Sequence, residues 1–180
     1  DSGLLIVNGS LAGPVAVDPG GGLGGFGTIG GNVSGPGLVA PGIAVGALSI
    51  NGSYSMSTES SLEIEVGGLQ PGVQHDRLAV GGTATLGGQL DVPLVNGFVP
   101  QIGDSVTILT AANVTEQFNR VYMPDLPAVA PGVAIALVPG STNVQLQFVA
   151  PLSDNQFISG TPEVDWVQTS AWSTGTLPSS

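Results

Sequence analysis

Leu78-Ala-Val-Gly-Gly-Thr-Ala84 is a short apolar run, a Gly-Gly corner, a hydroxyl residue and the start of a second apolar run. Two earlier stretches share its shape, Leu5-Ile-Val-Asn-Gly-Ser-Leu11 and Leu48-Ser-Ile-Asn-Gly-Ser-Tyr54. Gly and Asn supply positive φ where a chain bends sharply, and the hydroxyl can cap amides that the bend frees. Each copy therefore reads as strand, corner, strand. Leu23-Gly-Gly25 and Leu86-Gly-Gly88 echo each other in the same way. The copies lie at irregular intervals, from Leu5 to Leu48 and from Leu48 to Leu78, so one hairpin is not simply repeated. Loops of variable length between rungs are what a stacked repeat tolerates, because each rung touches only its neighbours.

Outward from these copies, strand signals recur at 4–7, 15–17, 48–50, 61–66, 78–80, 89–94, 105–110, 133–138 and 143–149. In Leu62-Glu-Ile-Glu-Val66 apolar residues alternate strictly with acids, the mark of a strand with one wet face. A helical period shows only weakly, around 111–118. The expected fold is all-β, a parallel β-solenoid (β-helix) with irregular coils over residues 1–150. A two-sheet β-sandwich is the competing architecture.

Composition supports a folded chain and narrows its partners. The 180 residues suit one domain. The 29 Gly and 14 Pro follow no three-residue period, which excludes collagen, and charge is too scarce for a disordered polyelectrolyte. The apolar residues are mainly Val, Leu, Ile and Ala, side chains that stack well at strand spacing. There is no Lys, the only cations are Arg77 and Arg120, and the net charge is −11. Nucleic acid and anionic lipid are therefore excluded as partners. Without Cys there are no disulfides or thiolate metal sites. No apolar run reaches the roughly 18–20 residues of a membrane span, so no membrane insertion is expected. The chain opens on Asp1-Ser-Gly3 with no signal peptide, which for an exported protein implies the mature form.

The segments Gly31-Asn-Val-Ser-Gly-Pro-Gly-Leu-Val-Ala-Pro-Gly42, 46–68 and 75–111 together carry one succession of features. A Pro-Gly corner leads to an acid-alternating strand, then Asp76-Arg-Leu-Ala-Val80, Gly82-Thr-Ala84, and Gly103-Asp before Val106-Thr-Ile-Leu-Thr-Ala111. Residues 31–150 resemble the passenger-associated β-strand repeat of bacterial autotransporters and related exported proteins. The resemblance implies a right-handed parallel β-helix used as a stalk or surface scaffold, on the bacterial cell surface or outside the cell. No translocator barrel follows, so self-secretion of the autotransporter kind is not expected.

Motifs that look chemical are better explained structurally. Gly25-Phe-Gly-Thr-Ile-Gly30 spells the dinucleotide fingerprint, but Gly31-Asn-Val-Ser-Gly-Pro36 follows and cannot open the helix that pyrophosphate needs. Glu63 and Glu65 share a strand face and read as a solvated stripe, since glycosidase carboxylates span a cleft. His75-Asp76-Arg77 gathers an imidazole, an acid and a cation without a nucleophile tied to them. There the resemblance implies a coil entry, with Asp76 and Arg77 paired to stabilise the turn. A β-helical polysaccharide lyase is the enzymatic alternative, but without Lys its basic, calcium-assisted site is hard to assemble. No catalytic, cofactor or metal residue is assigned, and no enzyme activity is expected. Sequons stand at Asn8, Asn32, Asn51 and Asn113. Threonines do not form regular Thr-x-Thr ranks, so ice binding has little support.

After Pro151 the strand pattern stops, and the polar tail 152–180 carries both tryptophans, Trp166 and Trp172. A stacked fold has open ends that soluble monomers must blunt. Strand signals begin at Leu4 with no capping helix before them. The expected assembly residues are Leu4, Leu5, Ile6 and Val7 at one end and Val164, Trp166 and Trp172 in the tail. The tail is expected to dock on a neighbouring subunit and so build an open-ended homopolymer. The functional expectation is a non-catalytic extracellular structural protein, the subunit of a surface fibre. The alternative is a surface adhesin or glycan-binding stalk.

Overall fold

The computed structural model describes residues 3–151. The chain visits three sheets in rotation. Its first circuit is β1 (Leu4–Ile6), β2 (Ser10–Leu11) and β3 (Val15–Ala16). The second is β4 (Gly22–Gly25), β5 (Thr28–Ile29) and β6 (Val33–Ser34). Next come β7 (Leu38–Pro41), β8 (Ala47–Ile50) and β9 (Tyr54–Ser55), then β10 (Ser61–Glu63), β11 (Arg77–Val80) and β12 (Thr83–Thr85). The fifth circuit is β13 (Gln89–Asp91), β14 (Ser105–Thr110) and β15 (Asn113–Thr115). β16 (Arg120–Tyr122), a short helix α1 (Leu126–Val129), β17 (Ala134–Pro139) and β18 (Asn143–Val149) complete the described chain.

Each strand pairs with its counterparts one circuit away. The sheets run β1-β4-β7-β10-β13-β16, β2-β5-β8-β11-β14-β18-β17 and β3-β6-β9-β12-β15. Strand pairing is parallel until β18, which runs antiparallel to both β14 and β17. Among the described strands, β17 and β18 are the one pair of sequence neighbours that pair antiparallel.

Register makes the core a set of columns. Leu23, Val39, Leu62 and Leu90 align in the six-stranded sheet, and Ile29, Ile50 and Val80 in the seven-stranded one. Val33, Tyr54 and Ala84 align in the third. All of these are buried. With sides this short, one or two inward residues per strand fill the interior, so layers of the aliphatic Leu, Ile and Val suffice. Two of the three repeat copies do stack, Leu48 on Leu78, whereas Leu5 belongs to the six-stranded sheet.

The glycine run from Gly22 to Gly25 forms a strand, although its composition points to a corner. Its glycines permit close approach: a Cβ on Gly25, at φ +106°, would collide with the Val7 carbonyl one circuit earlier. The segment 111–118 contains β15 in place of the weak helical signal. Helix α1 instead follows Asp125, with Pro127 in its first turn and Leu126 buried against the core. Phe118 and Phe148 are fully buried near this end, and Phe98 meets Phe148 edge to face at 6.4 Å.

Candidate functional site

The leading strands β1, β2 and β3 each have one hydrogen-bonded neighbour strand, so together they form an open end of all three sheets. Apolar side chains crowd this end. Leu4, Leu5, Ile6 and Leu11 are exposed, Leu4 by 67%. Leu5 lies in register with the fully buried Leu23 and so heads an apolar column that nothing covers among the described residues. Burying such a side chain contributes about 1.5–3 kcal/mol. Val7, expected among the assembly residues, is instead buried, its amide donating to the Gly24 carbonyl at 2.9 Å. Val164, Trp166 and Trp172 lie outside the described residues.

Beside this end, Gly22 leaves a gap between Leu4 and Leu38 on the outer face of the six-stranded sheet. Pro36 and Glu59 border the resulting trough of about 440 Å³.

His75-Asp76-Arg77 enters β11 at the end of a long loop. Asp76 is buried, with both carboxylate oxygens occupied: Oδ1 accepts from the Gly46 amide at 2.7 Å and Oδ2 from the Glu65 amide at 2.9 Å. Arg77 does not pair with it. The guanidinium donates to the Thr110 hydroxyl at 3.3 Å, so the expected Asp76–Arg77 pair is replaced by a side chain stapling two circuits through their backbones. Burial pushes the Asp76 carboxyl up to about 7, against the pull of its two amide donors and with Glu65 and Glu63 adding to the rise.

His75 is buried too, its Nδ1 within 3.0 Å of the Gly68 carbonyl. Burial lowers its basicity. The Gly68 and Thr107 backbones favour the charged ring, yet Nε2 closes no hydrogen bond. Ring and carboxylate are buried and engaged by different backbone segments, while Arg77 is half-buried. The trio's geometry is that of a staple.

Glu63 and Asp91 are register neighbours, with Glu65 two residues along. Burial first, then repulsion from Glu65 and Asp91, raises the Glu63 pKa. No three of His, Asp and Glu among the described residues converge on a point that could hold a metal ion. Gly25-Phe-Gly-Thr-Ile-Gly30 is the corner from β4 to β5, and strand β6 follows it instead of a helix.

Register also shows ranks that reading for threonine alone misses. Asn32-Val-Ser34, Ser53-Tyr-Ser55, Thr83-Ala-Thr85 and Asn113-Val-Thr115 stack in the five-stranded sheet. Their apolar middle residues point inward and their polar residues outward. The Asn32 side-chain oxygen accepts from the Ser53 amide at 2.9 Å, the Ser53 hydroxyl from the Thr83 amide at 3.2 Å, and the Thr115 hydroxyl donates to Thr85 at 3.2 Å. A pattern of Asn, Ser or Thr on either side of one apolar residue was the available signal, masked by unequal loops. Exposed sequon residues Asn32 and Asn113 stand in these ranks.

Comparison with protein-family models and with characterised proteins finds no match for the chain.

Proposed function

We propose that the chain is a non-catalytic structural module of the bacterial cell exterior, a right-handed parallel β-solenoid that joins copies end to end through terminal strands. One observation carries this reading: among the described residues all three sheets begin in an uncovered edge at one end, where Leu4, Leu5, Ile6 and Leu11 are exposed. Main-chain groups of an edge strand bind another strand, and the apolar column behind Leu5 sets its register. A contact between unlike ends does not close on itself and propagates. The motif resemblance to exported passenger repeats supports the surface location. Among the described residues, no helix is long and apolar enough to cross a membrane.

Size-exclusion chromatography and negative-stain microscopy of the wild type and of Leu5→Lys test the reading. Wild type forms concentration-dependent linear assemblies and the variant runs as a monomer. A monodisperse wild-type monomer at high concentration rejects it.

The uncharged Asn, Ser and Thr ranks favour a second reading, a glycan-binding stalk. That reading requires retention of the monomer on a neutral polysaccharide matrix, and loss of retention in Thr85→Val.

A further inference from the structure

The remaining exposed large apolar residues fall mainly along one corner, where the chain passes from the six-stranded to the seven-stranded sheet. Phe26 occupies this corner in the second circuit, Ile43 in the third, Leu69 and Val73 in the fourth, Val99 and Ile102 in the fifth. Their exposures run from 44% to 72%. The corner loops pack on one another. A Cβ on Gly46 would lie 3.6 Å from the Phe26 Cβ, one on Gly72 3.2 Å from that of Ala47, and one on Gly67 3.1 Å from the Val95 side chain. Together the six side chains expose on the order of 500 Å², the scale at which an apolar patch on a monomer marks an interaction site.

This ridge is also free of charge. Loop residues 42–46, 67–74 and 92–103 include no Asp, Glu, Lys or Arg, in a chain of net charge −11. At its base stands Asp104, and Asp104 Oδ2 accepts from the Gln101 amide.

The end of the described chain lies at the same base. Strand β18 runs antiparallel to β14, so its last residues return to the corner where β14 begins. Phe148 exchanges backbone hydrogen bonds there, its amide to the Asp104 carbonyl at 2.9 Å and its carbonyl from the Gly103 amide at 2.7 Å. Three residues later, at Pro151, the described structure ends, with 152–180 still to come. Within that segment every carboxylate side chain (Asp154, Glu163, Asp165) precedes Trp166, and 166–180 bears no charged side chain.

The geometry points to the corner ridge as the berth of this chain's own residues 166–180, with Trp166 and Trp172 as its anchors. Reach is sufficient: the fifteen residues from 151 to 166 span up to about 50 Å extended. Both partners of this contact are free of charged side chains, the ridge loops and residues 166–180 alike. This assignment is independent of end-to-end joining through β1, which keeps its own test.

Trp166 and Trp172 are the only tryptophans, so fluorescence excited selectively at tryptophan, apart from Tyr54 and Tyr122, reports on this segment alone. The expected result is blue-shifted emission with acrylamide shielding, unchanged on dilution. Ile43→Lys and Val73→Lys, both at exposed positions, each move the emission toward that of the urea-unfolded chain while the far-ultraviolet circular dichroism is retained. Three results overturn the assignment: wild-type emission already like that of the unfolded chain, emission insensitive to both ridge charges in folded variants, or a blue shift lost on dilution or in Leu5→Lys, which places the tryptophans on another copy.

Discussion

Replacing Asp76 by Asn exchanges one oxygen for nitrogen in the staple between the third and fourth circuits. The carboxylate accepts from the Gly46 and Glu65 amides, one on each oxygen. Asn keeps one acceptor and turns an N–H donor group toward the other amide. One hydrogen bond is lost and one buried N–H is orphaned, a cost of about 1–3 kcal/mol, and Asp76→Ala orphans both at roughly twice that.

The pH dependence follows from the raised carboxyl. Its folded value of about 7 lies above the ordinary 3.8, so the folded chain holds a proton that the unfolded chain has released between those values. The stability linked to this proton is fully present below about pH 4 and is lost as pH rises through about 7. Asn cannot titrate, so the penalty of Asp76→Asn is larger at pH 5 than at pH 8. Glu63 shifts in the same direction as Asp76, and the lowered His75 contributes stability that is lost as pH falls. Subtracting variant from wild type removes both to first order. Urea unfolding followed by circular dichroism at the two pH values measures the difference. A variant as stable as wild type at both, or a penalty that grows with pH, refutes the staple as described.

Two further outcomes test the columns and the tight corners. Leu62→Ala empties a fully buried position between Val39 and Leu90 and lowers unfolding free energy by about 2–5 kcal/mol in denaturant titration. Gly25→Ala places a Cβ against the Val7 carbonyl at a φ that L residues avoid, so it lowers the melting temperature. A comparable Gly13→Ala change, with open space around it, alters stability by no more than about 0.5 kcal/mol.

Strands long enough to show a pattern were legible in the sequence. Segments 105–110 and 143–149 are β14 and β18, and the alternation in Leu62-Glu-Ile-Glu-Val66 buries Leu62, Ile64 and Val66 as its period requires. Strands such as β2, β5 and β6 have two residues each, too few for any period to register. Gly22–Gly25 carries the composition of a turn, and only contact with neighbouring circuits makes it a strand. The staple was hidden for a different reason: Asp76 bonds backbone amides 30 and 11 residues away, and an amide leaves no mark in residue identity. Leu4, Leu5 and Ile6 stand exposed where an apolar run opens the strand pattern, whereas Val7 turns inward through pairing with β4, which the run of residues itself does not display.

The reversed hairpin β17–β18 gives the molecule unequal resistance to force at its two ends. Tension on Gly3 bears on β1, three residues held by one parallel neighbour, and can peel circuits away in succession. Tension on Pro151 bears on β18, seven residues clamped between two antiparallel partners and anchored by the buried Phe148. Strands clamped on both sides must break many bonds together before the chain lengthens. A tether attached beyond β18 would therefore hold against loads that unravel the opposite end one circuit at a time.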